Sequence, residues 1–498
     1  MRFEYQRVDS LPRLAWCARV ARGAPRVRVR HGPWVETRAD RFFEGAWDGD
    51  FADGRFDAAT AFTGSGCIAR DSEMVCVASM NAFEWLYAVR ADDALWVSNS
   101  LAFVLVDSDD APALSHPHYF ADFLAIYRAG TSRPERAWLP TRRGRRVFLH
   151  AAVALRVRPD LSTSRSLRPE PPMPGDYADY VRALEDALAR VQQNAADAKR
   201  LQRYRPLATV SRGYDSPAVA AVAARVGVRE AATFTDVKGT GEADSGTAIA
   251  ERLGFRVTEY RHLAYLDLPG QPEAEACLCD WGWNAPFAAM EAQLTGALML
   301  SGRHGDVVWR TSPVFPMLRH PTGTTTGGGS MIELRLRAGF LHLALPYLIS
   351  HDPRPIRRIG VSPEMRPWSV GGDYDRPIPR RIAEEAGIPR EWFGRAKLNA
   401  VHAPFRVLDD ARPSHRELRA FVAALPRERA RDWTHRLLWR IQRAEEWARL
   451  RAERALCALG ADVMLVPTLH PRWRKPPGLE RFAFHWGFEK IRDRYRVG

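Results

Sequence analysis

The sequence predicts an α/β protein in which a β-rich amino-terminal part, residues 1–165, precedes a part built on a doubly wound parallel sheet, residues 176–498. Three observations lead there. Residues 206–260 read strand, loop, helix, strand, helix, strand, the order that builds a parallel sheet. Short alternating apolar runs with turn signals fill the amino-terminal third. Finally, 498 residues, 46% of them hydrophobic, suffice for two or three domains with cores of their own.

In chain order, residues 74–78, 85–90 and 94–100 alternate as strands, with Asp92-Asp93 as a hairpin turn. Residues 159–175, rich in Pro and Ser, read as a linker. Asp176 then caps a helix whose Tyr177, Val181, Leu184, Leu188 and Val191 follow helical spacing. Residues 206–210 form a buried strand, and 217–226 an Ala-rich helix that Gly227 can close. A second strand covers 231–235. A helix over 244–253 has Asp244 as its N-cap and Gly254 at its end, and a third strand covers 255–260. Residues 298–306 run from a hydrophobic strand into a glycine loop ending at Asp306. Residues 322–330 (TGTTTGGGS) suit either a substrate lid or an ordinary excursion. Residues 331–337 alternate in charge, as a solvated strand would. Near the carboxyl end Trp433, Leu437, Ile441, Ala444 and Ala448 share a helical stripe, suited to core or to a homodimer contact.

The most specific stretch is Ser211-Arg212-Gly213-Tyr214-Asp215-Ser216, between the first strand and its helix. Proline at 217 suits the first helical turn, where its missing N–H is not needed. A strand, a tight turn and a helix N-terminus together favour an anion, because backbone N–H groups and the positive end of the dipole converge there. Asp215 in such a loop is more naturally a magnesium ligand than a phosphate contact.

This loop resembles the Ser-Gly-Gly-x-Asp-Ser loop of the PP-loop ATP pyrophosphatases, with Arg212 in place of a glycine. Residues 241–254 resemble the second helix of the asparagine synthetase family. Ser301-Gly302-Arg303-His304-Gly305-Asp306 is similar to that family's Ser-Gly-x-Gly-x-Asp-Glu loop, with Val307 where glutamate stands. Gly394 to Ala400 resembles the segment carrying its phosphate-binding lysine, here Lys397. Of 73 basic residues only Lys199, Lys238, Lys397, Lys475 and Lys490 are lysine, so a lysine there is informative. Met331 to Arg337 is similar to the family's Glu-x-Arg segment before a helix. In the first part, the 85–100 hairpin looks like that of the family's glutaminase domain. Met1-Arg2 stands where the glutaminase cysteine would be, and the first cysteine is Cys17. The chain therefore resembles the branch without glutaminase activity, among β-lactam synthetases and lasso-peptide cyclases. The implied folds are a degenerate Ntn-hydrolase-like scaffold and an adenine nucleotide α hydrolase-like synthetase domain.

The resemblance implies ATP contacts at Ser211, Arg212, Gly213, Asp215, Ser216, Thr235, Ser301 and Gly302. Asp215 and Asp306 would hold Mg2+. Lys397 would stabilise phosphate charge, and His304 or Glu333 would serve as the amine's base, since Arg303 replaces the acid expected before Asp306. The implied partners are a carboxylate substrate and ammonia or an amine.

Composition bounds the rest. No apolar run reaches the ~18 residues of a membrane span, and no apolar leader opens the sequence, so a cytoplasmic protein is expected. Six scattered cysteines suggest reduced thiols rather than a disulfide framework, and Cys277-x-Cys279 alone is a poor zinc site. The charge of +14 would suit nucleic acid, but its arginines lie along the whole chain without a basic tail, which disfavours that partner. Two other readings stay open: a PP-loop enzyme that modifies transfer RNA, and a catalytically degenerate ATP-binding scaffold.

Overall fold

The computed structural model describes residues 1–80, 84–116, 119–129, 137–236, 243–270, 272–279, 282–311, 331–349, 352–372, 374–394, 409–425 and 479–496, with scattered positions besides. It is mixed α/β, with β-rich sheets first and a parallel sheet after them.

The first part contributes β1 (Arg2–Arg7), β2 (Trp16–Ala21), β3 (Arg26–His31), β4 (Glu36–Arg38), β5 (Arg41–Trp47), β6 (Phe62–Arg70) and β7 (Glu73–Val77). It continues with β8 (Leu86–Arg90), β9 (Ala94–Ser98), β10 (Trp138–Pro140), β11 (Arg146–His150), β12 (Val153–Val157) and β13 (Thr163–Leu167). They form a seven-stranded sheet, β1-β3-β2-β9-β8-β11-β10, and a six-stranded sheet, β13-β12-β7-β6-β5-β4. Trp16, Val20 and Val97 of the first sheet pack against Phe42, Met74 and Leu155 of the second. The expected β8–β9 hairpin is present, with Asp92-Asp93 at its turn. Two expectations are corrected. The stretch taken as a linker contains β13, which pairs with β12, and its neighbour Arg168 is buried against the carbonyls of Phe56, Ala59 and Ala78. Cys67 and Cys76, opposite each other on β6 and β7, form a disulfide rather than two thiols.

The parallel sheet comprises β14 (Arg205–Thr209), β15 (Glu230–Phe234), β16 (Arg256–Tyr260), β17 (Ala297–Ser301) and β18 (Leu341–Ala344), in the order β16-β15-β14-β17-β18. Every pairing in it is parallel. The chain moves outward in one direction from β14 to β16, then returns to the other side of β14 for β17. The strand order thus reverses between β14 and β17, where ligands of open α/β sheets sit. β17 is buried along its whole length, as the continuous apolar run Leu298-Met299-Leu300 requires. The Asp176-capped helix, Tyr177–Ala195, buries all five residues of its apolar stripe.

Two further expectations are revised here. Residues 332–338 are helix, not strand (Ile332–Ala338), with Glu333 in its buried first turn. Asp244 is not an N-cap, because that helix begins later (Thr247–Arg252, capped at Gly246). In the carboxyl-terminal stripe Leu437, Ile441, Ala444 and Ala448 are exposed, so they are not core; Trp433 lies outside the described residues. Residues 322–330 lie outside them too. No helix among the described residues is long and apolar enough to cross a membrane.

The helix Ile332–Ala338 joins the two parts. Arg335 forks onto Glu44 at 2.6 and 3.0 Å and pairs with Glu84 at 3.1 Å. Ser65 and Asn99 also donate to Glu44, and Gly64 N–H to Glu84. Nearby, Thr63 donates to the His342 carbonyl at 2.6 Å.

Candidate functional site

The loop after β14 leads directly into the helix Asp215–Arg225, so Asp215 stands in its first turn. Inside the loop, the hydroxyls of Ser211 and Ser216 lie 2.8 Å apart, and Ser211 N–H donates to Ser216 Oγ at 2.9 Å. Asp244, freed from capping, braces the turn instead: its Oδ1 accepts Arg212 N–H at 3.1 Å. The positive-φ positions do not include Arg212. Its arginine therefore sits where any side chain is tolerated, and the loop does not need glycine at that position. The half-buried Arg212 side chain makes no hydrogen bond or ion pair among the described residues.

The loop after β17 comes up against this one. A Cβ added to Gly302 would lie 2.6 Å from the Asp215 carbonyl carbon, and one added to Gly305 would lie 2.6 Å from Asp215 Oδ1. Glycine is required at both positions by close approach, and the contact brings the Asp306 loop onto the first turn of the Asp215 helix. Ser301, ahead of Gly302, is buried and bonds His342 Nε2 at 2.7 Å. The backbone of the Asp306 loop thus lies against Asp215, and these two aspartates are the ones that the sequence offers as Mg2+ ligands.

His304 stands at the turn in a left-handed conformation (φ 63°), its ring against Tyr347. Burial, helped by Arg303, lowers its imidazole to about 3 against the pull of Asp306. A neutral ring of such low basicity is poorly suited to taking an amine's proton at neutral pH. Glu333 lies in the buried first turn of the helix Ile332–Ala338. It accepts Ser100 Oγ at 2.8 Å and the Tyr495 hydroxyl, and burial raises its carboxyl to about 7. Thr235 directly follows β15, with its hydroxyl on Asp236 and the Tyr260 carbonyl. Lys397 lies outside the described residues. The chain leading to it is anchored at the site: Gly394 N–H donates to the Arg212 carbonyl at 2.9 Å. Gly394 is at φ 69° with its Cα against the Tyr214 ring, so only glycine fits there.

The sequence did not point to Tyr374 and Arg376. Tyr374 packs on Tyr214 and lies beside Gly213 and Asp215. Burial and the charge of Asp215 raise its phenol. Neither residue belongs to a glycine loop, so only their spatial neighbours mark them.

No protein-family model and no curated protein matches this chain.

Proposed function

We propose that the chain is an ATP-dependent, AMP-forming carbon–nitrogen ligase of asparagine synthetase type, acting on a carboxylate and either ammonia or an amine. The observation that carries this reading is the meeting of two glycine loops, 211–216 and 301–306, where the order of the parallel sheet reverses. The first ends on a helix N-terminus, an anion site by its backbone dipoles. The second packs its glycines against the first turn of the Asp215 helix, with Asp306 following directly.

On this reading the loop 211–216 receives the β- and γ-phosphates of ATP. A carboxylate oxygen of the substrate attacks the α-phosphorus, and the bond to the bridging oxygen breaks. Pyrophosphate leaves, and an acyl-adenylate forms. The amine nitrogen then attacks the acyl carbon, AMP departs with the former carboxylate oxygen, and the amine loses a proton. Asp215 and Asp306 would hold Mg2+, which when bound neutralises phosphate charge. Arg212, at its ordinary backbone angle, supplies a fixed positive charge at the loop. The low basicity of His304 and the engagement of buried Glu333 by Ser100 and Tyr495 favour an amine that arrives neutral. Cys17 is buried in β2, where burial and Asp107 push its thiol well up, so it is no glutaminase nucleophile. The first part is then a scaffold, docked through Arg335.

A degenerate scaffold is the competing reading, favoured by the internal bonding of Ser211 and Ser216. ATP–pyrophosphate exchange with a panel of carboxylates separates the two. Exchange should appear with at least one carboxylate and vanish in Asp215→Asn and Asp306→Asn without loss of fold. A parent that binds no ATP makes the scaffold reading the correct one. Near-normal exchange in Asp306→Asn would mean that another acid holds the ion.

A further inference from the structure

Most buried arginines of the described residues are well partnered. Arg168 donates to three carbonyls, Arg200 to two carbonyls and Asn194, and Arg335 pairs with two carboxylates. Arg380 reaches Glu384 and the Tyr214 hydroxyl. Arg376 is different. Its side chain is buried (2% exposed), yet it donates only to the backbone carbonyl of Asp375 at 2.9 Å and, at 3.5 Å, to that of Asp306. Its Nε, like those of Arg168, Arg335 and Arg380, has no hydrogen-bond partner among the described residues, so the difference lies in what its other nitrogens reach. A guanidinium has five donors, and a charge out of water is costly unless paired. The carboxylate next to it in sequence does not pair with it: Asp375 accepts from Ser369 Oγ at 2.5 Å and Val370 N–H at 3.0 Å.

The position of this unspent charge is informative. Arg376 lies 5.7 Å from the Tyr374 ring, and the Tyr374 hydroxyl stands by Gly213 and Asp215. Its contact with the Asp306 carbonyl puts it against the second loop. The guanidinium thus lies against the backbone of the second loop and near the Tyr374 ring, which itself stands beside the first loop. Asp215 and Asp306 repel an anion unless cations stand among them. An arginine fork suits phosphate oxygens better than a point charge does.

We propose that Arg376 is a phosphate-binding residue of this site, holding anionic oxygens of the pyrophosphate that leaves when ATP is cleaved. The proposal rests on the nucleotide reading above and adds a residue and a subsite to it. A purely structural arginine makes a contrary demand: removing it should loosen the fold, whereas removing an under-paired buried charge should not.

The test uses the full chain, Arg376→Gln and Arg376→Lys, titrated with inorganic pyrophosphate and with ATP in the presence of Mg2+, and melted with and without pyrophosphate. The expected result is a loss of about tenfold or more in pyrophosphate affinity for Arg376→Gln, the scale of one charge-assisted bond, with a smaller loss for Arg376→Lys. Without ligand Arg376→Gln should melt no lower than the parent, while the rise in melting temperature on adding pyrophosphate disappears. Pyrophosphate binding as tight as the parent's, or a ligand-free melting point well below it in both variants, overturns the proposal. If the parent binds ATP and pyrophosphate and Arg376→Gln does too, only this inference fails. If the parent binds neither, the nucleotide reading fails with it.

Discussion

The joint between the two parts and the meeting of the two glycine loops are both buried and charged, and each contains an arginine almost without solvent exposure. At the joint, Arg335 has two carboxylates around it, and those carboxylates have further donors from Ser65, Asn99 and Gly64. At the loops, Arg376 has only two carbonyl oxygens and the Tyr374 ring among the described residues. The first arrangement balances its charge with two carboxylates, although Arg335 Nε and Glu84 Oε1 meet only as an ion pair, and it fixes how the parts dock. The second is complete only when an anion arrives. Balanced charge suits a structural joint, and charge left over at a strand-order reversal is what the proposed phosphate site would use.

The largest effect expected from this contrast is at the joint. Arg335→Met strands Glu44 and Glu84 in the interior and should cost about 3–5 kcal/mol of stability, read from urea unfolding. Replacing both glutamates with apolar residues in the same variant should recover most of that. A loss below about 1 kcal/mol, the scale of an exposed pair, would put Arg335 and Arg376 in one class and dissolve the comparison.

Next in size is Glu333, which ties the joint to the carboxyl-terminal segment through Ser100 and Tyr495. Its carboxyl is raised by burial from 4.5 to about 7. The folded state therefore holds a proton that the unfolded state has released. Its contribution is fully present below pH 4.5 and is lost as pH rises through about 7. That displacement corresponds to about 3 kcal/mol. Glu333→Gln should flatten this part of the pH–stability curve, and an unchanged slope would mean that the carboxyl titrates normally.

The smallest effect concerns Arg212. Arg212→Ala should weaken pyrophosphate binding several-fold without changing stability, because the side chain has no partner among the described residues and the backbone is unstrained. Arg212→Gly should do the same, since glycine is not needed there. Full binding by Arg212→Ala would leave Arg376 as the cation that matters.

Much of this was legible in the sequence because it is local. Periodicity gave the helix Tyr177–Ala195, turn chemistry the β8–β9 hairpin, and the glycine spacing of 211–216 and 301–306 the two loops that meet. What was not legible depends on distant partners. Glu333 reads as a solvated charge until Ser100 and Tyr495, far away in the chain, close over it. Asp244 has every mark of a helix cap, yet the backbone N–H of Arg212 is the partner it finds. The Cys67–Cys76 bridge depends on the register of β6 against β7. Tyr374 and Arg376 carry no motif: they precede the helix Pro377–Glu385, and only contacts across the fold bring them to Gly213 and to the Asp306 carbonyl.

The central claim is that residues 211–216 and 301–306 form one ATP site. Hydrogen exchange of the full chain, with and without ATP and Mg2+, addresses it most directly. Amides of both loops should slow together when nucleotide is added, with the strands of the first part unaffected. Slowing at one loop alone, or ATP binding that protects neither, would contradict it.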